Sequence, residues 1–375
     1  MIQNQPLEYQ RRFNWIDQTK GLAIFAILVF HFFQNYPERI QLISILDRNL
    51  AKLGYAAVDI FFVMAGFNTS YSLFSKLIKS KSNDFKINWR SWLTKRLLRI
   101  YPAYILAVIL SCLLYYLFST FKIKSSTNFI LTCLGIAGIK FQAINPGFWF
   151  FTVILEAYIF TPLIFYICRN RPKKILWLGL IFAILTKFIS IYFLQKNNIP
   201  NYLFFLQNNF LGSYIFQFCL GIYWGYIYAE KQAFRKIDFI ISTIVFSLGL
   251  AFYLVLGITK INIIYMLGFD ILFTPFFFWG IQALLSRLDK IAKLEWILSF
   301  TSMLGIYSYQ IYLIHQPLYF VFLPKFNNSL QANVYLKIML SLVLLTILLA
   351  IYTFLFTKLE KLVTSKLLTV ISKSK

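Results

Sequence analysis

Charged side chains are scarce in this sequence: they make up 13% of its 375 residues, with 13 Asp and Glu against 37 Lys and Arg. A water-soluble globular domain carries roughly 25% charged residues, so that class is excluded. Histidine occurs only twice and cysteine only four times. Cys112, Cys133, Cys168 and Cys219 are scattered through or beside apolar segments without metal-ligand spacing, so they read as packing thiols, with no disulfide framework and no metal site expected. No internal repeat of the kind many transporters show is visible. The first apolar run lacks a small-residue cleavage pattern, so no cleavable signal peptide is expected.

Apolar and aromatic residues fill the space instead, at 59% and 20% of the chain. They gather into runs at 17–34, 57–75, 98–118, 148–168, 175–194, 210–229, 238–258, 263–285, 303–323 and 334–356. Most are close to the roughly 20 residues that cross a hydrocarbon core as a helix. The expected fold is all-α: a polytopic integral membrane protein of about ten transmembrane helices, with residues 1–375 forming one embedded domain that ends in a basic tail, 357–375. The shorter apolar stretch Asn128 to Ile139 suits a re-entrant or interfacial piece.

A net charge of +24 might point to nucleic acid, but the basic residues lie between apolar runs and not on one polar domain. Orientation in a bilayer accounts for them better. With ten spans one side carries Arg11, Arg12, the stretch from Lys76 to Arg99, Arg169, Arg171, Lys173, Lys174, Lys231, Arg235, Lys236, Arg287, Lys290, Lys293 and the tail lysines. The opposite side holds Arg39, Arg48, Lys52, Lys122, Lys124, Lys140, Lys196, Lys260 and Lys325. The asymmetry places both termini in the cytoplasm and the chain in the cell membrane.

The first run contains three ionisable groups, Asp17, Lys20 and His31. His31 follows Lys20 by eleven residues, about 1100° of helix, so both share one face and lie roughly 16 Å apart along the axis. Asp17 can neutralise Lys20 as an i,i+3 pair at the helix entrance. An ionisable residue deeper in the span, such as His31, is a functional candidate by default.

Five stretches together resemble the membrane-bound acyltransferase 3 family. Asp17, Lys20, Gly21 and His31 are similar to its Asp-x-x-Arg-Gly-x9-His element, with Lys20 in place of the usual Arg. Val58-Asp59-Ile60-Phe61-Phe62 through Gly66-Phe67 resembles Val-Asp-x-Phe-Phe-x-x-Ser-Gly-Phe, with Ala65 in place of the Ser. Lys95-Arg96-Leu97-Leu98-Arg99-Ile100-Tyr101-Pro102 is similar to Arg-Arg-x-x-Arg-Ile-x-Pro. Phe148-Trp149 through Glu156 is akin to a Trp-containing span ending in Glu, with Trp149 spaced differently. Gly305 through His315-Gln316-Pro317 is close to Gly-x-x-Ser-Tyr-x-x-Tyr-x-x-His-x-Pro.

The resemblance implies transfer of an acyl group, most simply acetyl, from cytoplasmic acyl-CoA to a hydroxyl of a cell-envelope or extracellular polysaccharide sugar. The partners expected are the lipid bilayer, acyl-CoA and a glycan or lipid-linked sugar, with no nucleic acid. An alcohol needs a base near neutral pH, and histidine, with an unperturbed pKa of about 6.5, is suited to that work. The expected catalytic residues are His31, Asp59, Glu156 and His315. His31 is the base or a covalent relay, and Asp59 accepts from its ring to fix the tautomer. Glu156 assists His31, pairs with a cation or packs as a polar group, and His315 shapes the acyl tunnel or serves as the alternative base. Lys20, Arg96 and Arg99 are expected to bind the donor, the two arginines clamping its phosphates or simply anchoring the third span. The rival class is an exporter of a glycan or its precursor, in which the buried charges line a path.

Overall fold

The computed structural model describes residues 14–80, 87–118, 125–138, 142–168, 171–206 and 208–373. Arg11, Arg12, Lys81, Lys86, Lys122, Lys124, Lys140 and Arg169 of the charge pattern, with the last two residues of the tail, lie outside them. The described residues form helices α1 (Asn14–Asn35), α2 (Gln41–Ser80), α3 (Trp89–Phe118), α4 (Ser126–Leu134), α5 (Trp149–Cys168), α6 (Pro172–Gln195) and α7 (Ile199–Leu206). They continue with α8 (Ile215–Lys231), α9 (Lys236–Val255), α10 (Ile261–Met266), α11 (Phe269–Leu288), α12 (Glu295–Ile306), α13 (Ser308–Ser329) and α14 (Val334–Lys373).

Among the described residues eight helices are long and apolar enough to cross a membrane, and α12 with α13 makes a ninth if the pair is one span, bent by 77°. The tenth apolar run is α8, whose 17 residues sit at the short end of what can span. The chain is therefore an all-α polytopic membrane protein. The piece near Asn128 is a nine-residue helix, too short to cross. The run at 303–323 is not one straight helix: it breaks at Tyr307, between α12 and α13.

Small residues decide which helices meet. A side chain at Gly21 would lie 1.9 Å from the Thr301 carbonyl oxygen, and one at Gly305 would lie 1.7 Å from that of Asp17. Thus α1 and α12 touch backbone to backbone through reciprocal glycines. Gly66 against Phe218 and Gly221 against Val63 do the same for α2 and α8. Close backbone approach through small residues is the usual device where lipid removes the hydrophobic drive between helices. Consequently α1, α2 and α8 form the centre, while α9 and α14 turn Ile237, Ile241, Ile244, Leu344, Ile347 and Ile351 outward. Apolar surface on that scale is suited to lipid.

Candidate active site

His31 stands one turn before the end of α1, and His315 lies two turns into α13. Packing of α1 against α13 sets their rings 5.2 Å apart between centroids, inclined by 41°. The two histidines of the chain, 284 positions apart in sequence, form one site.

Each ring is oriented by its own helix. His315 Nδ1 lies 2.8 Å from the Tyr312 carbonyl oxygen and 3.1 Å from that of Ile311. A carbonyl can only accept, so Nδ1 carries the proton and Nε2 presents its lone pair. That Nε2 is buried and has no hydrogen-bond partner in the protein. His31 Nδ1 lies 2.8 Å from Gln34 Oε1, which accepts from it. The Gln316 amide nitrogen sits over the His31 ring, 3.3 Å from Nδ1 and 3.4 Å from Nε2. Gln316 Oε1 is itself buried and unpartnered, held so close to Gly147 that a side chain there would meet it at 2.3 Å. Pro317 cannot donate to the Leu313 carbonyl, and Asn145 Nδ2 reaches that oxygen at 3.5 Å instead. The proline therefore leaves α13 unbroken around His315.

Asp59 does not orient His31. Its Oδ1 accepts from Gln217 Nε2 at 3.2 Å, and its Oδ2 from Tyr265 Oη at 3.0 Å and Thr274 Oγ1 at 3.4 Å. The reason is helical phase: Asp59, Val63, Gly66 and Ser70 share the stripe of α2 that packs on α8, away from α1. The same Gln217 donates to Asp270 Oδ2 at 3.0 Å, while Lys187 Nζ pairs with Asp270 Oδ1 at 2.9 Å and donates to the Tyr265 carbonyl at 2.6 Å. Asp59 thus belongs to a buried network that ties α2, α6, α8 and α11 together. Sequence reasoning missed Lys187, Asp270 and Gln217. The first two carried a legible signal, a charge inside an apolar run.

Glu156 is also engaged elsewhere. Its Oε2 accepts from the Leu211 backbone N–H at 2.6 Å, capping the short turn Leu211–Ser213 that leads into α8. Lys20 pairs with Asp17 at 2.7 Å, the local i,i+3 contact available from spacing alone. Arg96 and Arg99 diverge: the Arg96 guanidinium lies 5.4 Å from the Trp92 ring and 5.6 Å from that of Tyr158, whereas Arg99 is exposed. Among the described residues no carboxylate pairs with either arginine. All four cysteines are free thiols.

A site of this kind can accept a proton on a nitrogen and offer hydrogen bonds from amides; His315 is buried, whereas His31 is half-buried beside the exposed Gln34. A family model described as an acyltransferase domain, acyltransferase 3, matches residues 13–357, nearly the whole chain and both histidines. No curated protein and no solved structure matches the chain.

Proposed function

The chain belongs to the acyltransferase 3 family, and is a membrane acyltransferase that delivers an acyl group to a hydroxyl; from that premise we propose that it carries acetyl from cytoplasmic acetyl-CoA to a sugar hydroxyl of an envelope or extracellular polysaccharide, in the cell membrane. The observation that carries this reading is the pairing of the two histidines, each with Nδ1 held by its own helix, His315 Nε2 without a partner and His31 Nε2 met by the Gln316 amide alone.

In the proposed step the sugar oxygen attacks the thioester carbonyl carbon as its proton passes to His31 Nε2. The carbon–sulfur bond then breaks, and the imidazolium returns the proton to the departing thiolate. Ester and free thiol are the products, and the base is regenerated. His315 Nε2, buried and without a partner on a ring 5.2 Å from that of His31, can accept from the second reactant, fixing its pose. Arg96, flat against two aromatic rings, and Arg99 supply the positive charge for the donor's phosphates, with Lys20 deeper on the α1 face. Asp59 and Glu156 act as framework: one fixes α2 to α8 and α11, the other caps the approach to α8.

The test is transfer from radiolabelled acetyl-CoA to glycan extract by protein in proteoliposomes. His31→Gln should insert and fold, yet lose activity by a factor of about 10² or more, the usual share of general base catalysis. Transfer at the parental rate would remove His31 from the chemistry. Arg96→Gln with Arg99→Gln should raise KM for the donor with little change in kcat, as expected when uniform binding is lost.

A further inference from the structure

A chamber of about 940 Å³ lies between α1, α2, α9, α10 and α11. Phe25, Leu53 and Leu284 belong to its lining and are also exposed on the outer face of the bundle, so it opens sideways at the depth of lipid chains. Neither histidine lines it. A donor to the reacting atoms has to be sought on the elements that hold the histidines themselves.

Acyl transfer places negative charge on the thioester carbonyl oxygen as the sugar oxygen attacks, and donors aimed at that oxygen usually supply the largest share of the rate. Neither neutral imidazole can be that donor. The His31 Nδ1 proton goes to Gln34 Oε1 and the His315 Nδ1 proton to the carbonyls of Ile311 and Tyr312, so both Nε2 atoms present lone pairs. Lone pairs repel an oxyanion. The Gln316 amide nitrogen is placed otherwise, 3.3 Å from His31 Nδ1 and 3.4 Å from Nε2. An in-plane approach so nearly equidistant would collide with Cε1 between them. The amide therefore stands over the ring face, where an N–H meets π electrons, and leaves the in-plane lone pair of Nε2 free. One N–H suffices for that contact; the second is left for a substrate oxygen.

The other end of the same amide is held at a cost to the fold. Gln316 is buried, and its Oε1 has no partner. A buried unpaired oxygen is destabilising, and its retention calls for a reason. Its seat is made by the short turn Pro146–Phe148, where a Cβ on Gly147 would lie 2.3 Å from Gln316 Oε1. Asn145 fixes that turn, its Oδ1 accepting from the Gly147 N–H at 3.0 Å and its Nδ2 reaching the Leu313 carbonyl of α13 at 3.5 Å. The missing side chain at 147 thus gives Gln316 its room beside His31.

We propose that Gln316 is a further catalytic residue, donating from its amide N–H to the thioester carbonyl oxygen, and that Gly147 is the gap that lets it stand there. As the sugar oxygen bonds to the carbonyl carbon, its proton passes to His31 Nε2 and the π pair of the carbonyl moves onto the oxygen that Gln316 holds. The pair returns as the carbon–sulfur bond breaks, and the imidazolium protonates the leaving thiolate. This assignment rests on the acyltransfer reading above.

The experiment is steady-state transfer from radiolabelled acetyl-CoA to glycan extract by the full chain in proteoliposomes. Gln316→Met keeps the length of the side chain and strands no partner, so its melting temperature in detergent should match or exceed the parent's. Its kcat should fall by about 10²–10³ with KM for the donor little changed. The inflexion of the pH–rate profile should stay where the parent has it. Gly147→Ala displaces only the far end of a flexible side chain, so it should fold and lose roughly ten-fold or more in kcat. In a Gln316→Ala background the same change should do nothing further, because no amide is left to displace. Parental kcat in Gln316→Met, or a loss carried by KM, overturns the proposal. So does a shifted inflexion with the rate recovered at another pH, since Gln316 then acts through His31. Parental turnover by Gln316→Met beside an inactive His31→Gln sinks this assignment alone; a parent that transfers no acetyl sinks it together with the acyltransfer reading.

Discussion

At the scale of single residues, the two imidazoles can be dissected because Asn and Gln imitate different ring nitrogens. His315→Asn retains a donor near the Nδ1 position, so the bonds to the Ile311 and Tyr312 carbonyls survive and the melting temperature should stay close to that of the parent. Transfer should nevertheless fall by about 10² if Nε2 touches the reactants; unchanged turnover would assign His315 to packing. The buried ion pair behaves otherwise. Lys187→Met strands Asp270 beside Asp59 with Gln217 shared between them and should cost about 3–5 kcal/mol, whereas adding Asp270→Asn should recover much of that loss. Thermal unfolding of both variants in detergent reads the difference. The place of His31 inside a span was legible from the sequence because it is a polar intrusion in an apolar run. Gln34, Gln217 and Gln316 were not, since a glutamine at a helix end or in a polar-flanked span carries no comparable penalty and its partner depends on tertiary rotation.

For helices as units, the length of the apolar runs marked out most of the spans, because twenty apolar residues have few alternatives in lipid. The break at Tyr307 has no proline to signal it, and the two prolines of α13, Pro317 and Pro324, lie inside an unbroken helix. The Asp59–His31 pairing failed for a related reason: depth follows from counting residues, whereas the direction a side chain faces depends on which neighbour the helix packs against. Gly21 and Gly305 make the α1–α12 seam testable. Gly21→Leu must push the Thr301 backbone away and should destabilise by at least about 1–3 kcal/mol, with proportional loss of transfer as α1 shifts His31. Gly280→Ala, facing open space, should leave stability unchanged in the same assay.

On the scale of the whole molecule, the bundle has two chemically distinct ends. One gathers Trp15, Phe67, Tyr228, Phe234 and Phe278 into an aromatic cluster; the other holds Arg39, Asp47 and the pair Glu38–Lys337. Charge asymmetry in the sequence assigns the first to the cytoplasm. In a variant cleared of its four native thiols, a cysteine at Ser44 should react with an impermeant maleimide from outside the cell, and one at Ser91 only after the membrane is opened. The reverse pattern would invert the topology. The chamber between α1 and α11 opens to the side, so a reactant that enters by it does so from the bilayer. Supply is then set by surface density, as mole fraction in the membrane, and not by bulk concentration. Diluting the membrane with inert lipid or detergent should slow the enzyme even when the total amount of every reactant is unchanged.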